Sequence, residues 1–218
     1  MRAEEGLEGR DPTRTAGKVH LWNRLPDVLT PEDARALLDA PSPKTWIGQR
    51  DRALMALLYG GGLRVSEAVS LKLDGLSLRA FIGDEAPGIL HVLGKGNKER
   101  LVPFGGIARS RLEHWLEEGR TTRAKGRRHV LLSKSGKSLD RHRAFRIVRQ
   151  HALKVGLDGR THPHILRHSC ATHLLLGGGD LRSVQEFLGH ADLRTTELYT
   201  HLEVDQLQSY HKLHHPRG

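Results

Sequence analysis

Arg64 stands just beyond the run Gly60-Gly61-Gly62. A glycine turn lets backbone approach a ligand closely, and an arginine beside it can grip a phosphate through two parallel N–H donors. An arginine at a helix start also serves simply as a solvated surface charge. Lys95 lies in Gly94-Lys95-Gly96-Asn97-Lys98-Glu99-Arg100. Glycine and asparagine account for a polar turn there. The same turn is a finger able to present an ammonium group as a general acid, where neighbouring cations lower its pKa. In His162-Pro163-His164-Ile165-Leu166-Arg167-His168, Pro163 suits a helix start, and His164 and Arg167 then share a face and can reach one ligand. His164 and His168 have the spacing of a zinc pair. Arg167 between them would repel a cation, and Ile165 occupies the place of the glutamate in a His-Glu-x-x-His site, so the cluster suits an anion better. His190 follows Gly189 at a helix exit, a common place for a capping histidine. Tyr199, in Thr195-Thr196-Glu197-Leu198-Tyr199-Thr200-His201, either packs its ring on a core edge or offers a phenol as a nucleophile.

The elements that would have to position these groups are legible from periodicity and punctuation. Residues 1–26 mix Gly6, Gly9, Pro12 and Gly17 with charges and show no sustained period, as a tail or linker would. Thr30-Pro31-Glu32-Asp33 announces a helix through its cap, its proline and its acids, with Leu37 and Leu38 as the apolar face. A second helix is expected near Arg50 to Tyr59, stopped by the triple glycine, and another turn begins at Leu63-Arg64-Val65. Leu76 to Leu78, Ile89 to Leu93 and Leu101 to Pro103 read as strands, the last two joined by the loop that carries Lys95. Helices are expected again at about 107–118, 140–155, 163–176 and 180–188, with a short one before Tyr199. The fold class is therefore mainly α with a small antiparallel β-sheet (α+β).

Composition narrows the partners. Among 218 residues, 35 Lys and Arg oppose 25 Asp and Glu, giving +10; such an excess draws polyanions, of which nucleic acid is the commonest. The single cysteine, Cys170, excludes an internal disulfide and any zinc motif built on cysteines. No apolar run approaches the roughly 20 residues of a membrane span, and the N-terminal residues do not resemble a signal peptide. A reducing, cytoplasmic setting is the expectation, with no membrane partner.

Taken in order, these residues resemble the active-site set of the tyrosine recombinase (phage integrase) family, over roughly residues 25 to 216. The densest stretch runs through Pro163-His164-Ile165-Leu166-Arg167-His168-Ser169, Ala171-Thr172-His173-Leu174-Leu175 and Asp180-Leu181-Arg182-Ser183-Val184-Gln185-Glu186-Phe187-Leu188-Gly189-His190, and ends in Tyr199-Thr200-His201. The Xer-type subgroup is the most similar, down to the closing His215-Pro216-Arg217. Cys170 and Leu176 replace bulkier or more polar residues expected there.

The resemblance implies a tyrosine recombinase catalytic-domain fold and assigns catalytic roles to Arg64, Lys95, His164, Arg167, His190 and Tyr199. Tyr199 would be the nucleophile that forms a 3′-phosphotyrosyl bond to DNA, with no metal, ATP or other cofactor required. It also implies residues 1–26 as an interdomain linker or the remnant of an N-terminal core-binding domain. The catalytic domain would span 27–218, with a C-terminal tail at about 203–218 that docks on a neighbouring protomer or packs on its own domain. Double-stranded DNA bearing a short inverted-repeat site is the implied partner. A monomer free in solution, a tetramer on synapsed DNA and a paralogous recombinase partner are the implied assemblies. The task would be DNA integration or chromosome dimer resolution. A DNA-binding protein without catalysis, a type IB topoisomerase and a histidine-bound zinc protein are the rival readings.

Overall fold

A computed structural model of the chain describes residues 28–77, 88–94, 99–121, 124 and 126–189. Its elements follow the expected order. Helix α1 (Pro31–Asp39) starts where Thr30 accepts a hydrogen bond from the Asp33 N–H at 3.1 Å, with Pro31 in the first turn, and buries Ala34, Leu37 and Leu38. Helix α2 (Trp46–Tyr59) begins four residues before the expected Arg50, because Thr45 caps it through the Gly48 N–H at 3.1 Å. It runs through the middle of the domain and is buried from Gly48 to Tyr59 except at Arg52. Arg50 and Asp51 therefore lie in the interior. The Arg50 guanidinium forks onto Asp51 and donates to the Leu132 carbonyl, while Asp51 Oδ2 meets His151 Nε2 at 3.1 Å. Buried charges are tolerated when they satisfy one another in this way.

Helix α3 (Val65–Ser70) follows the glycine turn and leads through the short turn Leu73–Gly75 into strand β1 (Leu76–Ser77). Strands β2 (Gly88–Leu93) and β3 (Glu99–Phe104) complete an antiparallel sheet in the order β1-β2-β3. Leu90 lies opposite both Leu76 and Val102, and Ile89 opposite Pro103. Proline, lacking an N–H, is acceptable in β3 because that strand forms a sheet edge. The end of the expected first strand, Leu78, lies outside the described residues.

Helix α4 (Gly106–His114) continues into a π turn (Trp115–Gly119) where one helix over about 107–118 was expected. Trp115 is fully buried there, its indole N–H donating to the Val130 carbonyl at 2.9 Å. The stretch from Val130 to Leu139 escapes the periodic reading. It has no long strand, only isolated bridges, yet it buries Val130, Leu131, Leu132 and Leu139. Arg120 secures its entry by donating to the His129 carbonyl at 2.9 and 3.1 Å.

Helices α5 (Arg141–Lys154), α6 (Pro163–Leu176) and α7 (Leu181–Leu188) match expectation to within a residue or so. Asp140 and Asp180 cap α5 and α7 through the Arg143 and Ser183 N–H groups, each at 2.9 Å. The short helix expected before Tyr199 lies outside the described residues. No described helix is long and apolar enough to cross a membrane.

Candidate active site

The start of α3, the first half of α6 and the end of α7 meet at two glycines with left-handed backbones, Gly62 at φ 54° and Gly189 at φ 66°. Both are held to glycine by space as well as conformation. A Cβ on Gly62 would meet Leu188 Cδ2 at 2.8 Å and Phe187 Cε1 at 2.9 Å, and one on Gly189 would meet Arg100 Cδ at 2.8 Å. The turns thus bring main-chain carbonyls close to arginine side chains.

Arg167, on α6, is 6% exposed and donates through its two terminal nitrogens to the carbonyls of Gly62 and Leu188. One buried guanidinium therefore ties the glycine turn before α3 to the last turn of α7. Arg64 caps α3 with an extended backbone, and its side chain donates to Glu67 Oε1 at 3.1 Å and to the Gly189 carbonyl at 3.4 Å. It remains a third exposed, so it can turn toward a ligand.

Glu67 is the hub. Three residues after Arg64 and 3% exposed, it accepts the Arg64 backbone N–H at 2.7 Å, the glutamate half of a capping box. Arg100, on β3, forks onto both of its oxygens at 2.6 and 2.9 Å, and Arg167 Nη1 lies 3.9 Å away. Burial pushes the Glu67 carboxyl upward, but the Arg100 guanidinium, the Arg64 backbone N–H and the Arg167 charge outweigh it, leaving the pKa below the ordinary 4.5. For Arg167 the balance is different: burial, then the charge of Arg64, brings its pKa down to about 10. It is still a cation at neutral pH.

The lowered Glu67 pKa carries a consequence for stability. A carboxylate whose pKa falls on folding contributes stability that is present above its unfolded value and is lost as pH drops through the folded value. Glu67→Gln is therefore expected to be less stable than wild type at neutral pH. Below about pH 4.5, where the unfolded chain begins to take up the proton, the difference should narrow, and it should go on narrowing until pH falls through the lower folded value. Urea unfolding midpoints measured from pH 7 downward would show a constant difference if the carboxylate were uncoupled from folding.

His164 lies on α6 one turn before Arg167 and is exposed. Its ring meets His162 edge-on at 5.9 Å, and His162 stacks on Phe145 of α5 at 5.4 Å, so aromatic contacts fix the approach to this face. Lys95, His190 and Tyr199 lie outside the described residues; Gly94 and Gly189, their neighbours in sequence, lie within them. Of the sequence-predicted residues, the fold thus brings Arg64 and Arg167 onto one carboxylate and places His164 on the same helix as Arg167. Glu67 and Arg100 escaped the sequence reading as site residues. The Arg64-to-Glu67 spacing of a capping box was an available signal for the first. Nothing local pointed to the second.

Two other groups near the site are structural. Cys170 is fully buried and its thiol is pushed up to about 12 by burial, which leaves it inert. His173 sits between the Leu29 carbonyl at 2.9 Å and the Tyr59 hydroxyl at 2.8 Å. Since a carbonyl only accepts, Nε2 carries the proton and Nδ1 accepts from Tyr59. Burial lowers the pKa of His173 and agrees with that neutral form.

A cluster of arginines around one buried carboxylate, at the meeting of two helix ends, is suited to binding a phosphate. The phage integrase family pattern matches residues 27–206. The tyrosine recombinase XerD of Pseudomonas putida is 45% identical over 216 residues, which cover 98% of this chain and 70% of that protein. XerD of Corynebacterium glutamicum is 40% identical over 218 residues, covering 98% and 69%. Among solved structures, XerA recombinase superposes with a TM-score of 0.67 at 29% identity, over 89% of this chain and 68% of that one. XerH bound to its palindromic difH substrate gives a TM-score of 0.65 at 28% identity, over 86% and 53%. The lambda integrase catalytic core shares the fold, with a TM-score of 0.54 at 19% identity over 77% and 93%. The family match spans the arginine cluster and all the helices that build it, and the chain belongs to the phage integrase family as a site-specific tyrosine recombinase of the Xer type.

Proposed function

We propose that this domain cleaves and rejoins DNA strands at a short inverted-repeat site through a 3′-phosphotyrosyl intermediate, with Arg64, Lys95, His164, Arg167, His190 and Tyr199 as its catalytic residues. The observation that carries the reading is the convergence of Arg64 and Arg167 on Glu67, which presents two cations at one point with Arg64 part-exposed. Two guanidinium groups at the non-bridging oxygens stabilise the charge on a five-coordinate phosphorus. The Tyr199 oxygen forms the bond to phosphorus as the bond to the 5′-oxygen breaks. The phenol proton passes to His164, Lys95 protonates the departing 5′-oxygen, and His190 hydrogen-bonds to the phosphoryl group. A free phenol has a pKa near about 10, so the surrounding cations are what make it competent at neutral pH. One phosphodiester is exchanged for another, so the step balances without ATP, and the cationic side chains do the work that metal ions do in nucleases.

The partners follow from the same chemistry. The excess of +10 favours a duplex, and the XerH neighbour is bound to a palindromic site. For this chain we infer a monomer free in solution, a tetramer on synapsed DNA and a paralogous recombinase as partner, in a bacterial cytoplasm, at the nucleoid. Dimer resolution or integration is the task this activity serves.

The test is a nicked duplex bearing a Xer-like inverted repeat, in which cleavage releases a short fragment and traps the adduct. Incubated with the protein in EDTA and run on a denaturing gel, it should yield a covalent protein–DNA band. Saturated binding without that band in EDTA, and with it on adding a divalent cation, would overturn the metal-independent mechanism. Saturated binding with no band in either condition would favour a binding function.

A further inference from the structure

Arg100 has no part in the chemistry just described, yet it is the residue most closely engaged with the hub. Its fork occupies both oxygens of Glu67, at 2.6 and 2.9 Å, while Arg64 has one longer side-chain contact at 3.1 Å and Arg167 stands off at 3.9 Å. Its side chain is 10% exposed, against 34% for Arg64. Its stem lies against Gly189, where any Cβ would meet its Cδ, Nε and Cζ between 2.8 and 3.3 Å. Arg100 thus reaches from the sheet to the start of α3 and the end of α7 at once.

We propose that Arg100 is a positioning residue for strand cleavage: by satisfying the Glu67 carboxylate it leaves the guanidinium groups of Arg64 and Arg167 available to the scissile phosphate. The physical reason is competition. A buried carboxylate with no dedicated partner takes whichever cation can reach it, since an unpaired buried charge is strongly unfavourable. Without Arg100, the cations in reach are Arg64 and Arg167. Each would fork onto Glu67 in its place, and the geometry that suits the carboxylate is not the one that suits a phosphate. A bidentate arginine on Glu67 holds Arg64 to a single side-chain contact at 3.1 Å and Arg167 at 3.9 Å, and lysine, a point charge, can do so only in part. The packing against Gly189 adds a second constraint, since it fixes the carbonyl that Arg64 also uses.

The inference rests on the reading of Arg64 and Arg167 as the phosphate-binding pair, and the experiment separates the two. Single-turnover cleavage of the nicked duplex at saturating DNA is measured for wild type, Arg100→Met, Arg100→Lys and Arg64→Ala. Each is also measured on a duplex whose scissile phosphate carries a methyl group in place of one non-bridging oxygen. That phosphate is neutral and has less need of the arginines. Arg100→Met is expected to slow cleavage of the normal duplex by about 10²-fold, the loss typical of a misdirected oxyanion donor, with DNA affinity changed by less than about threefold. Arg100→Lys should recover part of the rate. On the neutral phosphate the deficits of Arg100→Met and Arg64→Ala should both shrink to within about threefold.

A deficit of Arg100→Met that persists on the neutral phosphate while that of Arg64→Ala shrinks would overturn the role of Arg100 alone. Persistence of both deficits would overturn the phosphate-binding pair and the inference with it. Should Arg100→Met fail to fold, Arg100→Lys carries the same comparison, and a wild-type rate for that variant would count against a need for the bidentate fork.

Discussion

Tyr199→Phe is expected to abolish the covalent protein–DNA adduct, lowering it by about 10⁴-fold or more, while leaving noncovalent DNA binding within about twofold of wild type. The substitution removes one oxygen and leaves the ring. A phenyl group has no lone pair to offer phosphorus, so no adjustment of the surrounding cations compensates. The chain has three tyrosines. Tyr59 is 2% exposed and its hydroxyl is engaged with His173, so it is unsuited to act as a substitute nucleophile. Tyr210→Phe is the matched control and should cleave like wild type. The measurement is the EDTA gel on the nicked duplex, with binding followed separately by fluorescence anisotropy. An adduct from Tyr199→Phe that disappears in Tyr210→Phe would move the nucleophile to Tyr210 and displace the proposed assignment.

The local signals in the sequence carried most of the fold. Thr30, Asp140 and Asp180 cap helices through side chains that act within three residues, and Pro163 and Gly189 mark helix ends by their own backbone limits. Such signals need no knowledge of the rest of the chain. Helix α2 was expected only from about Arg50, where its leucine spacing begins, and the Thr45 cap that starts it at Trp46 lies ahead of that period. The Arg50–Asp51–His151 network was illegible for another reason: its partners are 100 residues apart, and a charged pair in a helix ordinarily reads as surface. The stretch Val130–Leu139 buries Val130, Leu131, Leu132 and Leu139 without a period to announce it, because it is held by single bridges and by Arg120.

The candidate site divides along the same line. Arg64 and Arg167 are each ambiguous alone, since an arginine at a helix start or on a helix face has a plain surface explanation. Order and spacing along the whole chain, through the family resemblance, singled them out. What resemblance did not supply is the carboxylate between them and the arginine that occupies it. Glu67 reaches across 33 residues to Arg100 and 100 residues to Arg167. Contacts of that range arise only when the sheet, α3 and α6 have packed.

Arg167→Ala is the substitution in which fold and chemistry should fail together. The guanidinium bridges Gly62 and Leu188, donating to both carbonyls. Truncation leaves two buried acceptors without that donor and brings Glu67 a weaker cationic surrounding. A loss of about 3 kcal/mol in unfolding free energy is expected from those terms. Single-turnover cleavage, measured at a temperature where the variant is folded, should fall by about 10³-fold or more, as when a transition-state donor is removed. Arg167→Lys separates the effects. Its ammonium keeps the charge but cannot span both carbonyls, so it should regain part of the stability while cleavage stays about 10²-fold below wild type. Chemical unfolding and the nicked-duplex assay on the same preparations decide the matter. A folded Arg167→Ala that cleaves at the wild-type rate would remove Arg167 from the phosphate and leave it a purely structural tie between α6, the glycine turn and α7. Unchanged stability with lost cleavage would show that the two carbonyls find other donors, and that the interior position of Arg167 serves the reaction rather than the fold.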